Sequence, residues 1–232
     1  MIHEDWPKIL DWVRRQGPVV SMAGGEVRAI RDDFALSREQ DLSGLDYALS
    51  LAYPLPRESL GGIRAAPTLL YKQAYTQVNY LMDRVALGVA LRLQEGGHRA
   101  LAIPARQLLD FEGLHAHVNH RQVAVHLGQG WFGRNNLLVT PTHGAQVRLV
   151  TVLADLPLEM PGPWAEQKGA SACGDCRACA EVCPVQAIHQ GPQDFDRAAC
   201  FEKVRSFEKL RGIGQRICGV CVKACSGPKA KK

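Results

Sequence analysis

Cys173-Gly174-Asp175-Cys176-Arg177-Ala178-Cys179-Ala180-Glu181-Val182-Cys183-Pro184 is the stretch from which the rest of the chain is read. It spells C-x2-C-x2-C-x3-C-P, a spacing that wraps thiolates around 4Fe-4S cubanes. Three thiolates within seven residues turn inward on one cubane only from a tight loop. The fourth, carried onto the following helix, points to a second cluster. Partners follow downstream as Cys200, then Cys218, Cys221 and Cys225 in C-x2-C-x3-C spacing. All 8 cysteines are then used, four per cluster.

The crossed pairing habitual in two-cluster ferredoxins assigns Cys173, Cys176, Cys179 and Cys225 to the first cluster. Cys183, Cys200, Cys218 and Cys221 fall to the second. Zinc ribbons also use C-x2-C pairs, but zinc needs only pairs of pairs and has no use for a third cysteine at the same interval followed by x3-C-P. The start, Met1 to Trp6, lacks a basic region and an apolar stretch of the leader type, so disulfides are not expected and a reducing cytoplasm is. No apolar run approaches a membrane span, and no membrane partner is expected.

The chain has 232 residues, 46% of them hydrophobic, enough for a core beyond the cluster module of about 60 residues. The expected organisation is a body over 1–158, a cluster module over 165–228 and a basic tail, 229–232. The formal charge of +5 counts cysteines as neutral. Two oxidised clusters with their thiolates bring about two negative charges each and cancel most of it, so no nucleic-acid partner is expected.

Ahead of the clusters, helices and strands alternate. Trp6, Ile9, Leu10 and Val13 recur at helical spacing, ended by Gly17-Pro18. Asp46 to Tyr53 reads as a strand stopped by Pro54. A long helix runs from about Leu69 to Gln94, closed by Gly96-Gly97. Ala100 to Ile103 is a short strand and His120 to Leu127 a helix. Leu137 to Thr140 and Leu149 to Ala154, separated by Pro141-Thr142-His143-Gly144, read as a hairpin. Pro157 to Gly169, rich in proline and glycine, reads as a linker.

Gly128, Gly130 and Gly133 match G-x-G-x-x-G, with Asp155 a little over 20 residues on. In a dinucleotide site such glycines follow a strand and open a helix, whereas here they follow a helix and open a strand. No helix N-terminus would face a pyrophosphate, and the dinucleotide reading is set aside.

The same stretch carries a resemblance. Asn119-His120-Arg121-Gln122-Val123-Ala124, then Gly128-Gln129-Gly130-Trp131-Phe132-Gly133-Arg134-Asn135-Asn136-Leu137-Leu138, resembles the H-K-x-x-A-x-x-A-G-L-G-W-I-G-K-N-x-L-L segment of epoxyqueuosine reductases. Those are cobalamin and iron-sulfur enzymes related to reductive dehalogenases. Tyr47 to Tyr53, Val152 to Asp155, Asp196-Arg197 and the cysteine pattern extend the resemblance from about residue 45 to 225. It implies an α+β chain: a nitroreductase-like α/β body holding cobalamin, followed by a ferredoxin-like module with two 4Fe-4S clusters.

On that resemblance, Gly128, Gly130, Trp131, Phe132, Gly133, Arg134, Asn135 and Asn136 are the candidate corrin pocket. Glycines would let the backbone approach the ring, Trp131 and Phe132 offer apolar surface, and Arg134, Asn135 and Asn136 can hydrogen-bond its amides. The alternative is that the aromatic residues are ordinary core and the glycines turn the chain. No D-x-H-x-x-G motif occurs. A bound cofactor is therefore expected base-off, without a protein histidine on cobalt.

The chain also departs from the pattern. Epoxyqueuosine reductases carry a catalytic aspartate in V-D-S/T-x-P, where this chain reads Ile103-Pro104-Ala105-Arg106-Gln107. The extension that engages tRNA is missing after Cys225, and Ser226 stands where a proline is usual. A small-molecule substrate is expected rather than tRNA, with a ferredoxin or flavodoxin-type electron donor. Candidates to replace the acid are Tyr71, Tyr75 and His120, the last within an H-x-H-x2-H run with His115 and His117. Those histidines are also open to packing or metal roles. The alternative to a reductase is an electron-transfer protein without catalysis of its own.

Overall fold

Trp6, Ile9, Leu10 and Val13 are all buried along helix α1 (Asp5–Arg15), as their spacing requires. The computed structural model describes residues 5–35, 40–106, 116–167 and 173–227. After α1 come strand β1 (Ser21–Glu26), α2 (Arg28–Arg31), β2 (Tyr47–Pro54), α3 (Arg57–Gly61), α4 (Leu69–Glu95) and β3 (Ala100–Ile103). Then follow α5 (His120–His126), β4 (Trp131–Phe132), β5 (Leu138–Val139), β6 (Val147–Ala154), α6 (Ala178–Glu181), α7 (Arg197–Glu208) and α8 (Val220–Ala224).

Two compact units share these elements, and neither is a continuous stretch of chain. The first comprises 1–53, 79–129 and 148–168, and the second 54–78, 130–147 and 169–232. These compact units interleave along the chain and do not follow the linear bounds at 158 and 165. The basic tail lies outside the described residues.

In the first unit the sheet order is β1-β2-β6-β3. β1 is antiparallel to β2, with Ser21 opposite Ala52, and β3 is antiparallel to β6, with Ala100 opposite Ala154. The central strands β2 and β6 are buried along nearly their whole length, which accounts for apolar runs without alternation. Val123 and Leu127 from α5 and its end pack with Phe34, Leu45, Ile103 and Leu153 in one core. The Arg92 guanidinium of α4 stacks 3.7 Å over the Trp12 ring of α1.

Two expectations fail here. Leu137 to Thr140 does not pair with Leu149 to Ala154: β5 pairs with β4, and β6 lies inside the four-stranded sheet. Adjacency in sequence suggested a hairpin, but the aliphatic β6 buries both faces only in a sheet interior. The segment from Pro157 is also no free linker. Leu158 is fully buried, Met160 exchanges two backbone hydrogen bonds with Gly24 (2.8 and 3.0 Å), and the Trp164 N–H donates to the Gly128 carbonyl at 2.7 Å. Its prolines and glycines serve close packing, which composition does not separate from flexibility.

Strand β1, unread in the sequence because its Ser-Met-Ala-Gly-Gly-Glu run is small and polar, is anchored by a buried polar knot. Gln129, fully buried after α5, accepts from the Ser50 hydroxyl (2.6 Å) and donates to Ser21 Oγ (3.1 Å) and the Ser50 carbonyl (3.3 Å). A buried amide so satisfied ties two strands to the end of α5.

Candidate metal centre

Every cysteine lies in the second unit, and none forms a disulfide. The Cys176 N–H donates to the Cys173 carbonyl at 2.8 Å, the tight turn that three closely spaced ligands need. Helix α6 carries Cys179, and Cys183 follows the helix rather than riding on it, because α6 ends at Glu181. Helix α6 packs with α8, which carries Cys221. Asp196 caps α7, accepting from the Ala199 N–H at 2.9 Å, and so starts the helix that presents Cys200.

The thiols influence one another in two sets. Burial raises Cys179 to about 11, and Cys225, Cys173 and Cys176 push it the same way. Burial also raises Cys225, against hydrogen bonds from Ala145 and Gly227, with Cys173 and Cys176 adding to the rise. In the other set, burial raises Cys200 to about 11, reinforced by Cys218, Cys183 and Asp196. Cys221 is raised by burial, then by Cys218, Cys200, Cys179 and Cys183. These influences link Cys179 and Cys225 to Cys173 and Cys176, and link Cys200 and Cys221 to Cys183 and Cys218, while Cys179 also acts on Cys221. Gathered thiolates would repel one another, and iron cations would relieve that repulsion, so the donor set is one that iron-sulfur ligation suits. Among the described residues, no group of three or more Cys, His, Asp or Glu is arranged around a single metal ion.

Residues 130–147 explain how Cys225 reaches a loop fifty residues earlier. Hairpin β4–β5 pairs Trp131 with Val139 and Phe132 with Leu138. From it, the Trp131 indole N–H donates to Cys173 Sγ at 3.4 Å. Arg134 donates to three carbonyls of the cysteine loop and its continuation, those of Cys176 (3.0 Å), Gly174 and Gln190. On the turn after β5, the Ala145 N–H donates to the Cys225 carbonyl at 3.0 Å, and Gln146 Nε2 donates to the Lys223 carbonyl at 2.9 Å. One short segment thus holds both ends of the first ligand set.

Residues 54–78 do the same for the C-terminal cysteines. Ile213, Ile217 and Val220 pack with Leu55, Leu60, Ile63 and Tyr71. Gly219, which caps α8 at φ 82°, leaves no room for a side chain: a Cβ there would lie 2.6 Å from Tyr71 Cε1. Lys223 Nζ donates to the carbonyls of Gly61 (2.9 Å) and Ile63 (2.7 Å). Sequence reading missed both supports because neither segment contains a cysteine. Trp131 and Arg134, which the sequence offered as corrin-pocket candidates, are the residues that reach the cysteine loop.

The candidate corrin residues divide between the two units. Gly128 ends α5 at positive φ with Gln129 in the first unit, and no helix follows it. Asp155 accepts from the Arg99 N–H at 2.9 Å and pairs with His98, consistent with setting the dinucleotide reading aside. Gly130 and Gly133 belong to the hairpin. A Cβ on Gly130 would lie 2.1 Å from the Val139 carbonyl oxygen, and one on Gly133 2.6 Å from Val139 Cγ2. Their missing side chains are therefore required by the hairpin itself. Trp131 is buried, Phe132 half-buried, and Asn136 turns the chain at φ 55°. Asn135 is 3% exposed, its Oδ1 accepts from Leu137 N, and its Nδ2 has no hydrogen-bond partner among the described residues. That donor is the one observation in the hairpin that fits an amide-edged ligand.

Tyr71 is buried, its ring 6.1 Å from that of Tyr75, and Tyr75 packs at the margin of the same cluster. His120 has both ring nitrogens engaged, Nδ1 with Thr151 Oγ1 (2.8 Å) and Nε2 with the Pro104 carbonyl (2.9 Å). Burial lowers its pKa to about 4. It stays neutral near pH 7, Nε2–H donating and Nδ1 accepting, an arrangement that holds the loop after β3. His115 lies outside the described residues, and His117 precedes α5.

No family model matches the chain. Curated relatives named epoxyqueuosine reductase include one from Bacillus anthracis, 33% identical over 122 residues, covering 49% of this chain and 30% of the relative. Another, from Cyclobacterium marinum, is 30% identical over 148 residues, 58% of this chain and 46% of the relative. The tetrachloroethene reductive dehalogenase of Sulfurospirillum multivorans is 31% identical over 111 residues, 44% and 22% of the two chains. This chain thus matches less than half the length of these relatives. Among solved structures, a reductive dehalogenase described in terms of B12-dependent dehalogenation superposes with a TM-score of 0.65 at 19% identity, over 95% of this chain and 36% of that one. An epoxyqueuosine reductase from Streptococcus thermophilus superposes with a TM-score of 0.56 at 14% identity, over 97% and 68%. The chain is related to epoxyqueuosine reductases and reductive dehalogenases and has their mixed α+β fold.

Proposed function

We propose that the chain is an iron-sulfur reductase that passes electrons through two 4Fe-4S clusters to a base-off corrinoid and a small-molecule substrate. The observation that supports the reading is the gathering of all eight cysteines in one unit, where Cys173 and Cys176 act on Cys179 and Cys225, and Cys183 and Cys218 act on Cys200. Cys173, Cys176, Cys179 and Cys225 would hold one cluster, and Cys183, Cys200, Cys218 and Cys221 the other.

When bound, the clusters supply one-electron transfer and a corrinoid supplies a redox-active cobalt. The chain's own part is to hold the cysteine loops in shape through Arg134, Tyr71 and Lys223, and to offer the Asn135 amide as a donor. A ferredoxin or flavodoxin-type donor fits a chain with two clusters, in a cytoplasmic setting and without nucleic acid. The nitroreductase-like character of the sheet unit and the ferredoxin-like character of the cluster unit belong to the same proposal.

One observation favours the second reading, electron transfer without catalysis. Ala105, in the loop where the related reductases carry their acid, donates its N–H to Asp83 Oδ1 at 2.7 Å, and its carbonyl accepts from Arg148 at 3.2 Å. Ala105 itself is tied down at both backbone groups and bears no acid. Anaerobic reconstitution with and without cobalamin separates the readings. About eight iron and eight sulfide per chain are expected, with a base-off cobalamin spectrum at neutral pH. No cobalamin binding at tens of micromolar, already weak for so large a cofactor, transfers the conclusion to electron transfer; stoichiometric zinc without sulfide removes both.

A further inference from the structure

The structure assigns Trp131 a role that the cysteine pattern does not contain: its indole N–H is a hydrogen-bond donor to one ligand sulfur of the first cluster and raises that cluster's reduction potential. The inference rests on the two-cluster reading above. Trp131 is 4% exposed, and its Nε1 stands 3.4 Å from Cys173 Sγ. A buried indole N–H requires a partner, and here the partner is a thiol.

The contact is held from both sides. Strand pairing with Val139 fixes the Trp131 backbone, and Arg134, three residues on, anchors the cysteine loop through the carbonyls of Gly174, Cys176 and Gln190. Donor and acceptor are thus tied by the same hairpin, so the bond does not depend on a mobile side chain. Reduction adds negative charge that spreads onto the sulfurs, and a donor on a sulfur stabilises the reduced cluster more than the oxidised one. Cys183, of the other set, accepts from the Ala187 backbone N–H at 3.3 Å. That donor survives any substitution of its side chain, whereas the one from Trp131 can be deleted. Trp131 is accordingly a positioning and tuning residue, acting through Cys173.

The test is Trp131→Phe, which keeps an aromatic ring in the hairpin and removes the N–H. Anaerobically loaded protein is first assayed for iron and sulfide, then poised with dithionite and mediators while the two paramagnetic signals are followed. At a fixed potential the reduced-to-oxidised ratio of the first cluster should fall about tenfold, a shift of about 59 mV for one electron, with the second cluster unmoved. An unchanged midpoint in fully loaded variant overturns the inference and leaves the two-cluster reading standing. Wild-type protein that takes up no iron and sulfide overturns the reading and the inference together. If the variant does not load the first cluster, wild-type protein with nitrogen-15 in its tryptophan indoles decides. A nitrogen coupling at the reduced first cluster supports the bond, and its absence overturns it.

Discussion

The sheet unit and the cluster unit solve the problem of burial in opposite ways. In the first, β2 and β6 are buried nearly end to end, and Phe34, Leu45, Val123, Leu127 and Leu153 close a core drawn from strands, helices and loops. In the second, several elements are short: α6 has 4 residues, α8 has 5, and each strand of the hairpin has 2, beside the 12-residue α7. Its apolar cluster is centred on Tyr71, Ile63 and Val220, and its buried thiols carry raised pKa values. The sheet unit is held by apolar area, whereas the second unit also gathers half-buried thiols whose ionised forms would repel one another.

Removing the iron tests that contrast with the largest effect. Oxidation and chelation should cost the cluster unit several kcal/mol, because ligand binding there is folding energy. Hydrogen exchange should then rise across 130–147 and 173–227 while 47–53 and 148–154 stay protected. Uniform loss of protection would break the comparison. Next in size is Gly130→Val, whose side chain would meet the Val139 carbonyl. Backbone cannot swing away as a side chain can, so about 3 kcal/mol or more is expected, read as loss of the first cluster's signal with the sheet unit's unfolding unchanged. Because the hairpin itself fails, this variant says nothing about a corrin.

The third effect belongs to the sheet unit and concerns pH. His120 has a folded pKa of about 4 against an ordinary 6.5, so the unfolded chain takes up the proton more readily. Stability is present above 6.5 and is lost as pH falls toward about 4, by at most about 3 kcal/mol. Urea unfolding of wild type and His120→Gln at pH 7 and pH 5 should show a steeper acid loss in the wild type. Equal slopes would remove His120 as the cause. The smallest effect compares two helix caps. Asn119→Ala should cost the sheet unit about 1 kcal/mol or less, its contact to Gln122 N being 3.4 Å. Asp196→Ala should show even less in loaded protein, where iron–thiolate bonds hold α7 whether or not its cap survives. A larger loss for Asp196 in loaded protein would reverse the order.

The local features were legible because they repeat. The buried face of α1, the strand Tyr47–Pro54, the long helix Leu69–Glu95 and β3 stand where periodicity and their glycine or proline ends place them. The division of the cysteines proposed above follows from spacing, since ligand geometry restricts how far apart three thiolates stand on one loop. The β4–β5 pairing was not legible, because Leu138 and Val139 are as apolar as β6 and local pattern does not name a strand's partner.

By itself, the sequence determined the spacing of the eight cysteines, C-x2-C-x2-C-x3-C, then Cys200, then C-x2-C-x3-C, and a chain with enough apolar residues for a separate core. Only the tertiary structure decided what holds them. Trp131 and Arg134 reach the first cysteine loop, Ala145 reaches Cys225, and Tyr71 and Lys223 support the elements around Cys218 and Cys221. These contacts join residues tens to more than a hundred positions apart. Ligand spacing is a short-range constraint written along the chain, whereas the supporting shell is set by packing, which brings together segments that carry no shared pattern.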